Sequence, residues 1–363
     1  MLHNLSIIRR FALLLVSSIL LAGCTKSPQD VKSAGLKRLI LLNNNDSPYW
    51  NTARAGIRAA DEKLHLADSG LTAVMEINGA GTDEGQIAKL RQFGSQSDVA
   101  GVAISPTHAD NAAIMDELKN LRAKGIPVIC VDSDVDRDKY RDARSYYVGT
   151  DNATGGEVLA MAAKNLLPQG GEYVQFVGST GAQNAKDRMD AFSKTLGDKF
   201  VEKGRMADET DKTKAKTNVI DAIRNNPKLA MVVGIWSYNG PAIVDAIKEM
   251  NKTGLTVVAF DAQKDAIALA SEGNIHAMVV QNPYEMGFQS IRLLKAMVDK
   301  DDKTIKEMLP HADQKDGDIY DTGLRVVAPD NSPLKREMFG GKAEFYTFPD
   351  FKKWLAERNL ESS

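Results

Sequence analysis

Short apolar runs alternate with longer amphipathic segments along most of the chain. Residues 39–42 are continuously apolar, and apolar residues recur at helical spacing from Trp50 to Leu66. The same pattern predicts strands at 71–77, 99–104, 128–131, 173–177, 231–235, 256–260 and 276–280, and helices at 85–93, 109–123, 187–196, 216–225, 241–250 and 266–273. Short buried strands that alternate with helices form parallel sheets covered on both faces. The sequence therefore predicts an α/β fold.

The strand–helix series runs twice, and its two halves meet near residues 146–152. We therefore expect two doubly wound lobes with a ligand cleft between them. In open α/β sheets, ligands bind beyond the carboxyl ends of the strands. The residues that follow each predicted strand are accordingly the candidates for a binding site.

Aromatic, amide and carboxylate side chains follow these strands. Aromatic rings stack on flat apolar faces such as the C–H faces of sugars, and carboxylates accept hydrogen bonds from hydroxyl groups. The set contains no Ser–His pair, metal-ligand spacing or phosphate loop, so we predict a binding protein without enzymatic activity, cofactor or metal. The candidate ligand-binding residues are Asn43, Tyr49, Trp50, Asp132, Asn184, Arg188, Trp236, Asn239, Asp261 and Gln281.

Charge narrows the range of partners. The 46 Lys and Arg residues nearly balance the 48 Asp and Glu residues, which argues against nucleic acid as a ligand. The alternating acids of residues 132–138 resemble an EF-hand loop. However, Arg137 stands where that loop needs glycine and Ala143 where it needs glutamate, so calcium is disfavoured. We expect the acids that follow Asp132 to form a solvated loop.

The N-terminal residues have the pattern of an export signal. Two arginines, Arg9 and Arg10, precede an apolar run from Phe11 to Leu20, which is too short to span a bilayer comfortably. The ending Leu21-Ala22-Gly23-Cys24 resembles the bacterial lipobox, which implies cleavage before Cys24 and acylation of its thiol. Because Thr25 is not the aspartate that resembles an inner-membrane retention signal, an outer-membrane anchor is favoured where the cell has two membranes.

Six segments together carry a family resemblance. They are Ser47–Trp50 behind an asparagine-rich loop, residues 102–106, 125–128 leading to Asp132, 148–152, Phe260–Asp261 and 279–287. In this order they resemble the type I periplasmic sugar-binding proteins of the ribose and galactose group, which serve ABC importers. The resemblance covers about residues 36–327.

The resemblance implies two Rossmann-like lobes, joined by three crossover strands, that close on a sugar. Tyr49 and Trp50 resemble the aromatic clamp of the first lobe, and Asp132 resembles its hydroxyl-binding aspartate. Asp261 and Gln281 resemble the aspartate and the hinge glutamine of the far side.

The polar donor of the second lobe has two candidates, Arg188 and Asn184. Two departures from the family pattern concern the ligand. Ser133 stands where the ribose binders carry an arginine, which puts ribose itself in doubt. The segment Trp236–Asn239 replaces a simpler amide loop and adds aromatic area, as a different or larger sugar would require.

The domain organisation follows from these observations. We predict a signal peptide at 1–23, a tether at 24–35, a first lobe at 36–149 with 282–318, a second lobe at 150–281 with 319–332, and an extension at 333–363 with a helix at 346–360. The expected protein is a monomeric, exported lipoprotein, periplasmic or on the cell surface. It captures a monosaccharide or related small polyol and delivers it to the membrane subunits of an ABC permease.

Three alternatives use the same fold. A lactose-repressor-like transcription factor would need an N-terminal helix-turn-helix, where this chain has the predicted leader. A tethered sensor would present its ligand to a membrane kinase or chemoreceptor, and the sequence does not separate it from an import protein. A glycosidase could use Asp132 and Asp261 as its carboxylate pair, but the family resemblance assigns both residues to binding.

Overall fold

Two sheets organise the part of the chain that the computed structural model describes, residues 35–79 and 81–363. The predicted signal peptide, Cys24 and residues 24–34 of the predicted tether lie outside the described residues. None of the helices within the described ranges combines the length and the apolarity needed to cross a membrane.

Six parallel strands form the first sheet: β1 (Lys37–Leu42), β2 (Leu71–Glu76), β3 (Val99–Ile104), β4 (Val128–Val131), β5 (Tyr147–Gly149) and β11 (Ile319–Asp321). They lie in the order β11-β5-β4-β3-β1-β2. The chain order reverses between β1 and β3, and such a reversal opens a crevice at the carboxyl ends of the strands.

Seven strands form the second sheet: β6 (Gly171–Val177), β7 (Phe200–Ala207), β8 (Leu229–Gly234), β9 (Thr256–Phe260), β10 (Ala277–Val280), β12 (Arg325–Ala328) and β13 (Glu344–Thr347). They lie in the order β13-β12-β10-β9-β8-β6-β7. All neighbours are parallel except β10 and β12. The run β7-β6-β8-β9-β10 repeats the order β2-β1-β3-β4-β5 of the first sheet, so the two halves share one topology.

Helices cover the sheets. They are α1 (Tyr49–Lys63), α2 (Asp83–Ser95), α3 (Ala112–Ala123), α4 (Asn152–Leu166), α5 (Gln183–Leu196), α6 (Lys212–Asn225), α7 (Asn239–Glu249), α8 (Lys264–Ser271), α9 (Pro283–Asp299), α10 (Asp302–Met308) and α11 (Phe348–Ala356). Short 3₁₀ turns lie at Leu66–Ser69, Arg141–Ala143 and Arg336–Phe339.

Alternation along β1 shows how the first lobe builds its core. Leu39 and Leu41 pack against α1 and α9 on one face of the sheet, and Ile40 and Leu42 pack against α2 and α3 on the other. All four side chains are fully buried, and each such burial contributes about 1.5–3 kcal/mol. Because both faces are covered, polar side chains gather at the strand ends, where the site lies.

The chain passes between the two sheets three times, as the family resemblance implies. It crosses after β5, after β10, and at residues 322–324 between β11 and β12. Helix α9 begins at the second crossing, with Asn282 as its N-cap and Pro283 in its first turn. Both residue types are favoured at these positions of a helix. Gln281 lies at this crossing, so a predicted site residue lies at the junction of the lobes.

Several elements differ from the sequence prediction. The alternation did not reveal β7, which is only partly buried, or the helices α4 and α9, which begin where the chain crosses between the sheets. The helix predicted at 346–360 begins later, at Phe348, because Glu344–Thr347 pair with β12 as a strand. Strand β11 belongs to the first sheet, although residues 319–332 were assigned to the second lobe.

The loop after β4 also differs from the expectation of a solvated segment. Asp134 is buried and forms ion pairs with Arg144 at 2.6 Å and with Arg137 at 2.8 Å. Burial alone would raise the pKa of Asp134, but the two guanidinium groups hold it below the usual value. The ion pairs fix the backbone that follows Asp132.

Candidate functional site

A polar cavity lies where the carboxyl ends of the two sheets meet. Eight of the ten predicted site residues line it: Tyr49, Trp50, Asp132, Asn184, Arg188, Trp236, Asp261 and Gln281. Residues from both lobes therefore share one cavity.

Asp132 is the buried carboxylate of the first lobe. It directly follows β4, and its positive φ of 64° turns the chain out of the sheet, a conformation that Asp tolerates better than most residues. The Tyr49 hydroxyl donates to Oδ1 at 2.9 Å and the Ser105 hydroxyl donates to Oδ2 at 3.2 Å. Burial raises the pKa of Asp132, and the Arg188 guanidinium and these two hydroxyl groups oppose the rise.

Asp261 is the corresponding carboxylate of the second lobe. It follows β9 with a φ of 65°, and Gln281 Nε2 donates to its two oxygens at 3.1 and 3.2 Å. Burial raises the pKa of Asp261 to about 6, although Arg188 and Gln281 lower it. Both aspartates thus present carboxylate oxygens in a weakly solvated cavity, where hydrogen bonds to ligand hydroxyl groups are strong.

The positive charge of Arg188 acts on both carboxylates: it lowers the pKa of Asp132 and that of Asp261. Its Nε donates to Asn152 Oδ1 at 2.9 Å and its Nη1 donates to the Ile235 carbonyl at 3.1 Å. The guanidinium group packs over the Phe260 ring at 4.3 Å. Nη2 is buried and has no hydrogen-bond partner within residues 35–79 and 81–363.

Aromatic side chains enter the cavity from each lobe. Tyr49 and Trp50 meet edge to face, with ring centroids 5.3 Å apart. Trp236 of the second lobe donates through Nε1 to Asn184 Oδ1 at 3.3 Å. Asn184 therefore helps to orient Trp236. The indole rings of Trp50 and Trp236 offer flat apolar faces to a ligand.

Two predicted site residues lie outside the cavity lining. Asn43 accepts a 2.7 Å hydrogen bond from the Asn78 amide and so joins the ends of β1 and β2. Asn239 accepts from the Trp236 amide at 3.0 Å and donates to Asp208 at 2.9 Å. Both side chains support the loops that carry the site, through Oδ1 of Asn43 and through Oδ1 and Nδ2 of Asn239, in contacts within one lobe.

Five lining residues were not predicted: Asn44, Asn45, Ser47, Ser237 and Tyr238. They lie within two positions of predicted residues, in the segments that follow β1 and β8. The sequence could have indicated these five residues only through the loops as a whole, because a loop that borders a cleft contributes several consecutive residues to it. Tyr238 is held in place by Asp208, to which its hydroxyl donates, and burial raises the pKa of Asp208 to about 6.

Four of the side chains that line the cavity carry a buried polar atom that is unpaired within the described residues. Among the described residues, Asn44 Oδ1, Asn45 Oδ1, Arg188 Nη2 and Gln281 Oε1 are buried without a hydrogen-bond partner. Each such atom costs about 1–3 kcal/mol if it stays unpaired. The cavity thus offers acceptors and a donor to a ligand that carries several hydroxyl groups. In the same part of the chain, no group of three His, Cys, Asp or Glu side chains is placed to hold a metal ion.

Comparison with known proteins places the chain in a family. Residues 39–302 match the family model described as a periplasmic binding protein domain. The ribose import binding protein RbsB of Bacillus subtilis is 24% identical over 284 residues, which cover 76% of this chain and 88% of that protein. The D-allose-binding periplasmic protein of Escherichia coli is 23% identical over 270 residues, covering 72% and 84%.

A solved structure shows the same fold. The solute-binding protein of an ABC transporter from Burkholderia graminis, in complex with D-arabinose, superposes with a TM-score of 0.70 at 23% identity, covering 81% of this chain and 96% of that one. The chain belongs to the periplasmic binding protein family, and its fold is the type I form with two parallel sheets. This is a family of binding proteins, which agrees with the predicted absence of enzymatic activity.

Proposed function

We propose that this protein captures a neutral monosaccharide or a related small polyol in the cavity between its lobes and delivers it to an ABC importer. The observation that carries the proposal is the convergence of Asp132, Asp261 and Arg188, from both lobes, on one buried cavity with unpaired polar atoms. Hydroxyl groups of a sugar donate to the carboxylates and accept from the guanidinium. The indole faces of Trp50 and Trp236 cover its C–H faces.

Binding is coupled to closure of the lobes. A ligand that touches residues of both lobes favours the arrangement in which the lobes lie close together, and so shifts the population toward it. The closed form then differs from the open form in the surface it presents to a membrane partner. Recognition of loaded protein follows from this difference.

The first experiment identifies the ligand. The purified protein is screened by thermal shift against pentoses, hexoses and polyols, because a ligand that binds only the native state raises the melting temperature. Calorimetric titration of the best ligand then compares Asp132→Ala with Asp138→Ala, an exposed aspartate of the same loop. We expect Asp132→Ala to weaken binding by about 1–3 kcal/mol and Asp138→Ala to leave it unchanged. Equal affinities in the two variants would place the ligand elsewhere.

The second experiment tests delivery. Deletion of the gene is expected to abolish uptake of the identified sugar by intact cells, and uptake is restored by the unaltered gene but not by the Asp132→Ala form. Normal uptake in the deletion strain, together with tight binding in vitro, would contradict import and favour the sensor alternative.

The proposed anchor is the lipid on Cys24, a residue outside the described part of the chain. A charged start, a short apolar run and the Leu21–Cys24 ending support it. Metabolic labelling with a radioactive fatty acid is expected to label the unaltered protein and not the Cys24→Ser variant. If both forms remain unlabelled and soluble after export, the anchor is absent.

A further inference from the structure

We infer that the C-terminal segment Asn359–Ser363 is a clasp that holds the two lobes together at the cavity and positions Asp261 and Gln281. The inference rests on the proposed function of the cavity and extends it to residues outside the cavity lining.

The clasp is carried by an element anchored on the second lobe. Helix α11 buries Phe348, Phe351 and Leu355 in the core beneath the second sheet. The indole of Trp354 stacks on Phe351 at 5.9 Å, and Arg325 of β12 packs over the same indole at 4.0 Å. These contacts fix the point from which the segment leaves the helix.

The segment then pairs with the backbone beside the second-lobe carboxylate. The Ser363 amide donates to the Ala262 carbonyl at 3.0 Å, and the Ala262 amide donates to the backbone oxygen of Ser363 at 2.8 Å. Ala262 directly follows Asp261, whose backbone has a positive φ of 65°. The reciprocal pair therefore fixes the direction in which Asp261 enters the cavity.

The same segment reaches the junction of the lobes. The Ser363 hydroxyl donates to the Gln281 carbonyl at 3.0 Å, and Gln281 Nε2 in turn contacts Asp261. Ser363 is 4% exposed, although it lies in a polar segment, because it fills the space between these two site residues. It contacts the backbone of Ala262 and of Gln281 and does not line the cavity itself.

One contact crosses to the first lobe. Thr52 of α1 donates through its hydroxyl to the Ser362 carbonyl at 3.2 Å, and the two hydroxyl oxygens lie 3.4 Å apart. Thr52 is buried and lies one helical turn after Tyr49, the residue that holds Asp132. An open groove separates the rest of α1 from α8, and the segment lines it. The contact between Thr52 and Ser362 joins residues of the two lobes, and we expect it to form only when the lobes are close.

A clasp that forms on closure slows opening and leaves the encounter with ligand unchanged. We therefore expect a chain that stops after Arg358 to release the sugar about tenfold faster, with an association rate changed by less than about twofold. Thr52→Val removes one hydroxyl at nearly constant volume and should raise the release rate about threefold. Stopped-flow fluorescence measures both rates, since Trp50 and Trp236 line the cavity.

Thr217→Val is the matched control, because Thr217 is exposed on α6 and its hydroxyl donates only to the Thr213 carbonyl, one turn earlier in that helix. If the shortened chain and Thr52→Val release the sugar as slowly as Thr217→Val does, the clasp is overturned. A segment with a purely structural role would lower the melting temperature and leave the release rate unchanged.

A second arm needs no ligand and separates the clasp from the proposed function. A Thr52→Cys and Ser362→Cys double variant is oxidised, and X-ray scattering is recorded before and after reduction. If the segment joins the lobes, the disulfide forms and the ligand-free protein has a smaller radius of gyration than after reduction. Failure to form the disulfide, or an unchanged radius, overturns the clasp. If no sugar binds the unaltered protein, the proposed function is overturned but the clasp is not. The scattering measurement on the ligand-free double variant then tests the clasp by itself.

Discussion

The hydroxyl group of Tyr49 donates a 2.9 Å hydrogen bond to Oδ1 of Asp132. Both side chains are buried, and the two residues lie 83 positions apart in the chain. The hydrogen bond orients the carboxylate toward the cavity and stabilises its ionised form against the burial that raises its pKa. Tyr49 therefore has two roles, as an aromatic wall and as a positioning residue for the carboxylate.

Tyr49→Phe separates these two roles, because it keeps the ring and removes the hydroxyl. We expect ligand binding to weaken by about 0.5–1.5 kcal/mol and the pKa of Asp132 to rise further. The loss of affinity on acidification should consequently begin at a higher pH than in the unaltered protein. Calorimetric titrations between pH 5 and 8 measure both effects. Tyr173→Phe is the control, since its hydroxyl contacts Glu202 away from the cavity; identical profiles for the two variants would contradict the positioning role.

Asp261→Asn is expected to stabilise the ligand-free protein while it impairs binding. The pKa of Asp261 is raised to about 6 by burial, so the folded state holds this proton more tightly than the unfolded state does. Above pH 7 the ionised carboxylate then lowers the free energy of unfolding by on the order of 3 kcal/mol. This cost decreases as the pH falls through the folded-state pKa and is nearly gone at about pH 4.

Urea unfolding at several pH values tests this prediction. The stability gain of Asp261→Asn over the unaltered protein should be largest at neutral pH and should shrink on acidification. Asp330→Asn, a change at an exposed aspartate, serves as the control and should give no gain at any pH. A gain that is independent of pH would show that the carboxylate charge is not its origin.

Ligand affinity should fall as the solution is acidified below about pH 6. Ligand hydroxyl groups that donate to Asp261 favour its ionised form, so binding lowers a pKa that is about 6 in the free protein. Below that pH, binding must release a proton, and affinity falls by up to about tenfold per pH unit. Calorimetric titrations in buffers with different ionisation enthalpies measure how many protons are released when the ligand binds. Proton uptake, or constant affinity down to pH 5, would be incompatible with a role of the Asp261 carboxylate in binding.

Arg188→Lys is expected to impair binding despite the conserved charge. The donors of a lysine all lie on one nitrogen, so they cannot reach Asn152, Ile235 and the cavity as the three separate nitrogens of the planar guanidinium do. We expect a loss of about 1.5–3 kcal/mol in ligand binding and a lower melting temperature. Arg224→Lys, at an exposed position of α6, controls for the general effect of the exchange. If Arg188→Lys binds within twofold of the unaltered protein, Nη2 is not a ligand contact.

Local sequence pattern predicted those elements whose signal lies within a few residues. Leu39–Leu42 and Thr256–Phe260 were predictable as strands because both faces of a parallel sheet are buried, which leaves an uninterrupted apolar run. The same reasoning missed the partly buried β7 and the helix Pro283–Asp299. Eight of the thirteen residues that line the cavity were found because strand ends in this topology face the cleft. Asn43 and Asn239 occupy the same kind of position, but their side chains turn back to support their own loops.

The sequence by itself determined the α/β series, the cleft between two lobes and most of the polar groups within it, because these depend on hydrophobic period and on the position after each strand. Only the tertiary structure decided which groups meet. The contacts between Tyr49 and Asp132, between Arg188 and Phe260, and between Thr52 and Ser362 join segments that are far apart in the chain. Such contacts depend on how three crossings fold the two sheets toward each other, and no local periodicity encodes that geometry.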